Sequence, residues 1–369
     1  MSVNYTKRKV IFLVHSLNVG GMERVVSELL NQFSNNKHLE LHLVLFDNQT
    51  PLFYTISSTI IIHRPEFEFT GPNIFYSIKV LFFIRKTLSA INADAILSFG
   101  EIWNNLVLLS AIGKKMPIFI SDRSQPGKSL GGFHELLRKM LYPKAKGIIA
   151  QTQTAKIELE KKIKNSNIQV IGNPFSTIAN DEKIQKENIV LSVGRLIQTK
   201  HHDSLIKLFA RLNLPDWKLV IVGEDGLKQK NKSKLEELIK DLDAGNNVVL
   251  AGKQTAINEF YLRSEIFAFM SSSEGFPNVI GEALSSGLPV VTFDCVAGPS
   301  EIIEDGYNGF LVPLFDFSLF EQKLLSLVTD INMRNEMAKN ARLSVEKFST
   351  RNIANNFLKM ILPNESITD

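Results

Sequence analysis

The spacing of hydrophobic and polar positions switches between two periods along the first half of the chain. Residues 9–15 contain a continuous apolar run, 10–14, that is rich in β-branched side chains and typical of a buried parallel strand. Residues 23–33 follow with apolar positions at the spacing of a helix. The same order repeats and predicts strands at 41–46, 59–63, 95–99, 118–121, 147–151 and 168–171, and helices at 74–91, 133–142 and 154–164. Strands that alternate with helices predict a parallel, doubly wound sheet.

The alternation restarts after a break at Asn173 and Pro174, where the polar segment 177–187 is predicted to be a linker. The second set predicts strands at 188–193, 219–222, 248–250, 266–270, 289–293 and 310–312, and helices at 202–212, 233–242, 256–263, 278–284, 319–330 and 331–347. We therefore predict an α/β protein of two Rossmann-like, doubly wound domains, residues 1–175 and 188–347, that face a central cleft. Ligands of such sheets bind at the carboxyl ends of the strands. We expect a C-terminal helix at 348–365 to pack back onto the first domain.

Length and composition agree with two globular domains. A chain of 369 residues is long enough for two hydrophobic cores. The single cysteine, Cys295, excludes a disulfide framework and a multi-cysteine metal site. Lys79, Arg85 and Lys86 interrupt the longest apolar candidate, residues 74–88, so that no stretch is long enough to span a membrane. We expect a cytoplasmic protein without a secretion signal.

Charge is distributed unevenly between the two halves. Residues 1–175 contain 21 Lys and Arg against 12 Asp and Glu, whereas the remainder contains 21 against 26. Part of the excess of basic residues lies in and around the predicted helix 133–142, which also carries apolar residues. These basic residues are Lys128, Arg138, Lys139, Lys144 and Lys146. Such a helix either lies on anionic lipid, here the inner face of the cell membrane, or is a solvated face packed on the sheet. Both alternatives stay open, and no nucleic-acid partner is expected.

Two glutamates flank a glycine turn and a predicted helix start in residues 272–284. Glu274 precedes the turn, and Glu282 lies eight residues later, about 2.2 helical turns. The turn and helix start consist of Gly275, Phe276, Pro277 and Asn278. The free N–H groups and the positive dipole end of such a start suit a phosphate or a polar sugar. Both carboxylates can then face one cleft; a surface loop with two solvated glutamates is the alternative.

A basic pair directly follows the first strand of the second set. Gly194 allows the backbone to turn after that strand, and Arg195 and Lys200 lie five residues apart. The planar donor fork of arginine and the point charge of lysine can both reach a diphosphate from this strand end. A solvated basic loop is the alternative.

These two segments together resemble the E-x7-E motif and the Gly-Arg…Lys pair of retaining GT-B glycosyltransferases, family 4 in particular. In that family a glycine often follows the lysine, and here His201 takes its place. The resemblance implies a GT-B fold and a nucleotide-diphosphate sugar as donor, a UDP-sugar in the first place. It implies no cofactor and no metal, because Arg195 and Lys200 supply the positive charge on the leaving diphosphate.

The resemblance also assigns the carboxylates. It implies that Glu282 bonds the ribose hydroxyls and that Glu274 bonds the hydroxyls of the transferred sugar, with backbone amides after Gly275 supporting that sugar. Glu224, in the crossover 222–226, is expected near the base. Residues 297–303 and 305–313 also resemble the family; the first segment predicts a helix capped by Gly298 and Ser300, and the second predicts a turn ahead of a strand.

Three N-terminal segments resemble the family less specifically. Gly20 and Gly21 belong to a Gly-Gly-x-Glu-Arg loop, which in relatives lies against the donor diphosphate. Residues 121–126, with Arg123, resemble a Ser-Glu-Arg-Asn-x-Pro segment of members that build surface polysaccharides and glycan-linked lipids. Glu101 stands where many members carry a histidine loop, and a charge at a helix N-terminus is the alternative for it. We predict Glu101 and Arg123 as acceptor contacts.

The predicted function is retaining transfer of a hexose or N-acetylhexosamine from a nucleotide-diphosphate sugar to a glycan or polyprenyl-diphosphate-linked acceptor. Polysaccharide, lipopolysaccharide or glycan-lipid biosynthesis is the expected setting. Two alternatives come from other classes. One is a GT-B sugar-nucleotide 2-epimerase, whose histidine and carboxylate pattern is not evident here. The other is a non-catalytic nucleotide-sugar-binding subunit, although this chain keeps every phosphate ligand and both glutamates.

Overall fold

The computed structural model describes residues 6–68, 74–123, 125–175, 177–179, 183–226, 229–365 and 367. The chain forms two compact units. One contains residues 1–174 together with 350–369, and the other contains residues 175–349. Each unit is a parallel sheet covered by helices, as the alternating pattern predicts.

The first unit is built on a seven-stranded parallel sheet in the order β3-β2-β1-β4-β5-β6-β7. Its strands are β1 (Arg8–Val14), β2 (Leu39–Leu45), β3 (Ile61–His63), β4 (Ala95–Phe99), β5 (Ile118–Ser121), β6 (Gly147–Ala150) and β7 (Ile168–Val170). The connecting helices are α1 (Gly21–Ser34), α2 (Ile74–Ile91), α3 (Glu101–Ser110), α4 (Gly132–Leu141) and α5 (Gln153–Lys162). Residues 10–14 of the central strand β1 are fully buried, which is why that run is apolar without alternation.

Helix α3 is an element that the hydrophobic pattern did not predict, although it begins at Glu101, where the alternative interpretation of that residue expects a helix N-terminus. It carries Asn104 and Asn105 on its buried side, so it lacks the clean apolar stripe that marks an amphipathic helix. The Asn104 side chain accepts a hydrogen bond from Ser98 Oγ at 2.7 Å and donates to the carbonyl of Ser121 at 3.0 Å. These bonds satisfy a buried amide and tie the start of α3 to β4 and β5.

The second unit is built on a six-stranded parallel sheet in the order β10-β9-β8-β11-β12-β13. Its strands are β8 (Ile189–Val193), β9 (Lys218–Val222), β10 (Val248–Gly252), β11 (Ile266–Phe269), β12 (Val290–Asp294) and β13 (Gly309–Pro313). Its helices are α6 (His202–Leu212), α7 (Asn231–Asp241), α8 (Ile257–Arg263), α9 (Asn278–Ser285), α10 (Pro299–Ile302), α11 (Phe317–Thr329) and α12 (Ile331–Ser344). The last helix, α13 (Thr350–Ile361), belongs to the first unit and contacts α1.

Two local predictions need correction. Ser300 does not cap α10: the N-cap is Gly298, whose φ of 100° lies in the left-handed region, and Ser300 lies inside the helix. The predicted linker 177–187 includes residues 180–182, which lie outside the described residues. Its described part belongs to the second unit, where Ile178 is buried and Lys186 Nζ donates to the Ser264 carbonyl at 2.6 Å. Burial lowers the pKa of Lys186.

Candidate active site

The loop after β8 is joined to the loop after β9 by backbone hydrogen bonds. Gly194 N–H donates to the Val222 carbonyl at 3.0 Å, and Leu196 N–H donates to the Glu224 carbonyl at 2.8 Å. A Cβ atom at Gly223 would overlap the Gly194 carbonyl, so the two loops approach too closely for any side chain there. The Glu224 side chain is exposed at this edge. The carboxyl ends of β8 and β9 therefore form one rigid backbone platform.

Arg195 and Lys200, which follow β8, differ in their exposure and in their partners. Arg195 is exposed and makes no ion pair with the described residues. Lys200 is mostly buried, and its Nζ donates to Glu274 Oε1. Its ammonium also lies 4.7 Å from the centre of the Phe269 ring, which fixes the side chain further. Folding thus brings two of the predicted catalytic residues, Lys200 and Glu274, into direct contact.

Further bonds hold the Lys200 loop against the serine segment 271–273. The Thr199 carbonyl accepts from the Ser272 backbone N–H at 2.9 Å. His201 Nε2 lies 2.9 Å from Ser272 Oγ. His201 has φ 49° and ψ 39°, a left-handed conformation that glycine adopts without strain. This conformation gives a physical reason for the glycine that relatives often carry at the position.

Two neutral buried groups lie beside this loop. Burial lowers the pKa of His202 to about 4, so its imidazole is uncharged at neutral pH. Burial first, and then the charge of Glu274, raises the pKa of the Cys295 thiol to about 11. Sequence reasoning used Cys295 only to exclude disulfides, and no motif placed it near Glu274 and Lys200.

The turn that carries Glu274 is fixed by phenylalanines. Phe276 is buried and stacks on Phe175 with ring centres 5.6 Å apart. A Cβ atom at Gly281 would overlap the same Phe175 ring, and one at Gly298 would overlap Pro277. Glycines at both positions therefore let α9 and the α10 loop close around the turn.

Helix α9 begins where the E-x7-E pattern predicts it. Its N-cap is Pro277, no side chain caps it, and Asn278 is its first residue. The first N–H groups of a helix have no acceptor in the regular i→i−4 pattern, and in α9 the Ile280 N–H donates to the Pro277 carbonyl at 3.0 Å. Glu282 lies in the same helix, is 8% exposed, and its Oε2 accepts a hydrogen bond from the Tyr261 hydroxyl at 2.8 Å. Tyr261 lies on α8 and has no sequence signature.

In the first unit, α1 begins at Gly21, two residues before the predicted start at Glu23. Gly20 is the N-cap, and a Cβ atom there would overlap the Glu23 carboxylate. Its carbonyl accepts from the Tyr54 hydroxyl at 3.0 Å. Burial raises the pKa of Glu23. The loop is thus packed closely against its own helix.

Glu101 and Arg123 meet at the carboxyl ends of β4 and β5. Glu101 is the first residue of α3, and its Oε1 accepts from the Arg123 backbone N–H. The Arg123 guanidinium lies 5.4 Å from the centre of the Phe99 ring and donates to Asn173 Oδ1. Burial lowers the pKa of Arg123 to about 10. Ser124, in the same predicted segment, lies outside the described residues.

Asp122 completes this buried polar group and was not singled out from the sequence. Its Oδ2 accepts from Arg138 Nη2 at 2.5 Å. Burial and the neighbouring Glu101 raise the pKa of Asp122 well above its usual range, although Arg138 opposes the shift. Asp122 and Arg138 thus form an ion pair beside Glu101.

A further acidic motif lies elsewhere. The sequence contains an Asp-x-Asp triplet at 241–243, a pattern that holds divalent ions in other transferases. Asp241 ends α7 and Asp243 has φ 50° in the turn before β10, and both side chains are exposed. The triplet therefore lies at the amino ends of the strands, at the opposite edge of the sheet from Arg195 and Lys200.

Comparison with known proteins places the chain in a family. The model "Glycosyltransferase Family 4" matches residues 19–177, and "Glycosyl transferases group 1" matches residues 175–344. The N-acetylgalactosamine-N,N'-diacetylbacillosaminyl-diphospho-undecaprenol 4-alpha-N-acetylgalactosaminyltransferase of Campylobacter jejuni is 30% identical over 376 aligned positions, which cover 96% of this chain and 100% of the relative. The chain belongs to glycosyltransferase family 4. It is therefore an enzyme, a glycosyltransferase, as the two motifs indicate.

Other relatives of this glycosyltransferase agree. "Amylovoran biosynthesis glycosyltransferase AmsD" of Erwinia amylovora is 28% identical, covering 90% of this chain and 93% of its own. A glycosyltransferase structure from Rickettsia africae superposes with a TM-score of 0.81 at 19% identity, covering 98% of this chain and 100% of its own. The structure of HepE from Anabaena in complex with UDP gives a TM-score of 0.80 at 18% identity, with 96% and 99% covered. These structures establish the GT-B fold.

The described helices contain no candidate for a membrane span, since none is both long enough and apolar enough.

Proposed function

We propose that this glycosyltransferase moves a hexose or N-acetylhexosamine from a UDP-sugar to a glycan or polyprenyl-diphosphate-linked acceptor, with retention at the anomeric carbon. The proposed setting is the biosynthesis of surface polysaccharide, lipopolysaccharide or glycan-linked lipid. The observation that carries the donor assignment is the contact of Lys200 with Glu274 just ahead of α9. A cation and a carboxylate thus lie together beside a helix N-terminus in the second unit.

In this proposal Arg195 and Lys200 bind the diphosphate. Arg195 is exposed and available, whereas Lys200 is already paired with Glu274. Phosphate oxygens compete with the Glu274 carboxylate for the Lys200 ammonium, so donor binding frees Glu274 to accept from sugar hydroxyls. Charge held in place before the leaving group departs stabilises the transition state, and no metal is required for that purpose.

The acceptor assignment rests on the first unit and on the relatives. Two Campylobacter jejuni relatives are named for transfer to glycans on a diphospho-undecaprenol carrier, and one of them covers 96% of this chain at 28% identity. The half-buried Arg123 and Glu101 lie at the carboxyl ends of β4 and β5, the edge at which ligands of parallel sheets bind. We assign the acceptor glycan to this edge.

An anionic membrane surface is the proposed location of the acceptor's lipid. Helix α4 carries exposed apolar side chains on one face, with Phe133 69% and Met140 58% exposed, and Leu136 between them. Lys139 is exposed beside them. A solvated polar face does not explain three large exposed apolar side chains, so the observation favours lipid contact over the alternative that the sequence left open.

Product analysis tests the reaction. The enzyme is incubated with a panel of UDP-sugars, with and without a polyprenyl-diphosphate-linked glycan. UDP release only in the presence of both donor and acceptor, together with an α-linked product from an α-configured donor by NMR, is the expected result. A C2-epimeric UDP-sugar formed without acceptor would identify an epimerase instead. Binding of UDP with no turnover on any acceptor of the panel would favour a non-catalytic subunit.

A further inference from the structure

Glu282 and Glu274 are held by partners of different chemistry. The Glu274 carboxylate is held by the Lys200 ammonium, an ion that a bound diphosphate can also attract. The Glu282 carboxylate is held by the phenol of Tyr261 at 2.8 Å, a neutral donor that a phosphate does not withdraw. Under the proposed function, donor binding therefore releases the Glu274 carboxylate, whereas the Glu282 carboxylate stays bound to Tyr261.

Packing of the Tyr261 ring fixes the position of its hydroxyl. Tyr261 is fully buried, and its ring contacts Phe267 of β11 with ring centres 6.0 Å apart. It lies on α8, which follows the loop 253–256 at the carboxyl end of β10, whereas Glu282 lies on α9. The hydrogen bond thus joins two successive strand–helix units of the sheet.

We infer that Tyr261 is a positioning residue for the donor site, and that its hydroxyl fixes the orientation of the Glu282 carboxylate toward the ribose hydroxyls. The terminal torsion of a glutamate is broad, so that an unheld carboxylate presents either oxygen in many orientations. The charge-assisted hydrogen bond from the Tyr261 hydroxyl to Oε2 restricts this torsion. This inference rests on the proposed role of Glu282 in nucleotide binding.

Calorimetry with UDP on the full-length enzyme tests the inference. Tyr261→Phe keeps the buried ring and removes only the hydroxyl, and we expect UDP to bind about tenfold more weakly. Turnover at saturating donor should stay within about twofold, because the change acts on binding shared by ground and transition states. Tyr307→Phe, at a side chain 38% exposed in the turn before β13, is the matched control and should change neither quantity.

A double variant separates action through Glu282 from a general packing effect. If Tyr261 acts through Glu282, Tyr261→Phe/Glu282→Gln binds UDP no more weakly than Glu282→Gln alone. The inference is overturned if the effects of the two substitutions on UDP affinity are fully additive. It is also overturned if Tyr261→Phe binds UDP normally while Glu282→Gln binds it more weakly. Both outcomes leave the donor assignment intact. Normal affinity in both single variants overturns the ribose role of Glu282 and this inference with it. A lower melting temperature of Tyr261→Phe with normal UDP affinity would reduce Tyr261 to a structural residue.

Discussion

Lys200 and Glu274 are 74 residues apart in the sequence and form an ion pair in the folded second unit. The strand-end position of Lys200 and the glycine turn after Glu274 predict that each lies at the carboxyl edge of the sheet. Their direct contact is not predictable, because it depends on the order β8-β11 in the sheet and on the bonds of Thr199 and His201 to Ser272. At the scale of single residues, the sequence therefore identifies the groups and the fold assigns their partners.

The two cations should be needed for the chemical step. Arg195→Ala and Lys200→Ala are each expected to lower turnover at least about 100-fold, because a preorganised charge on a leaving group is worth roughly 3 kcal/mol. Steady-state rates with a UDP-sugar and an acceptor measure this. Lys234→Ala, on the exposed face of α7, is the control. Rates like those of the wild type in either variant would remove that residue from the diphosphate site.

Substitution of the two glutamates should affect different quantities, UDP affinity for one and turnover for the other. Glu282→Gln is expected to weaken the binding of UDP, whereas Glu274→Gln is expected to spare UDP affinity and lower turnover, because a sugar contact acts on the chemical step. Glu274→Gln also frees Lys200 from its ion pair, which favours phosphate binding further. Calorimetry with UDP beside steady-state rates distinguishes the two. The opposite pattern would reverse the assignment of the carboxylates.

Activity should survive EDTA. Arg195 and Lys200 supply two positive charges at the phosphate end of the proposed donor site, and the exposed pair Asp241 and Asp243 lies at the other edge of the sheet. The measurement is turnover after dialysis against EDTA, with and without added Mg²⁺ or Mn²⁺. Complete loss, restored by either ion, would show that a metal carries the charge.

At the scale of elements, helix α9 accepts no side chain at its fourth residue. Gly281 faces the Phe175 ring, which in turn stacks on Phe276 beside the Glu274 turn. An alanine inside a helix is normally more favourable than glycine by about 1 kcal/mol. Here the added methyl group must displace an aromatic ring, so that packing outweighs helix propensity.

Gly281→Ala is therefore expected to destabilise the protein by about 1–3 kcal/mol despite its better helix propensity. Gly245→Ala is the matched control, because a Cβ atom at Gly245 meets nothing within 4 Å, and it should change stability by less than about 0.5 kcal/mol. Urea unfolding gives both values. A Gly281→Ala variant as stable as the wild type would show that Phe175 moves aside freely.

Elements with one clear period were predictable, and those with buried polar residues were not. The ends of α2, β4, β5 and α6 fall where the pattern places them. Helix α3 was missed because Asn104 and Asn105 are buried by hydrogen bonds that only the tertiary structure provides. Tyr261 was missed for a related reason: its partner Glu282 lies on another helix, and no local motif signals their contact.

At the scale of the whole molecule, the excess of basic residues and the exposed apolar side chains of α4 occur in the same unit. Residues 1–175 contain nine more basic than acidic residues, and the exposed apolar side chains of α4 lie in that unit. Apolar side chains and basic charge on one surface are the two contributions that interfacial binding requires. The second unit has a net negative charge and is not expected to bind anionic lipid.

Binding to vesicles should depend on both contributions. The protein is expected to bind vesicles that contain anionic phospholipid, less so at high salt, at about 1 kcal/mol per basic residue near the surface. Phe133→Ser/Met140→Ser should weaken this binding at least about tenfold, since each inserted apolar side chain contributes about 1.5–3 kcal/mol when fully buried. Ile331→Ser/Leu343→Ser, on similarly exposed side chains of α12, is the control. Co-sedimentation that is equal for neutral and anionic vesicles, or unaffected by salt, would contradict the proposal.

The two ends of the second unit lie side by side. Phe175 N–H donates to the Phe348 carbonyl at 2.9 Å, and Phe175 forms a parallel bridge with Ser349. Residues 175–349 are thus one uninterrupted insertion in the first unit, entered and left at neighbouring points. Recombination with one crossover on each side of this segment exchanges it whole, with the bonds between Lys200 and Glu274 and between Tyr261 and Glu282 intact. Under the proposed function, such an exchange would replace the donor site and leave the proposed acceptor contacts of the first unit unchanged.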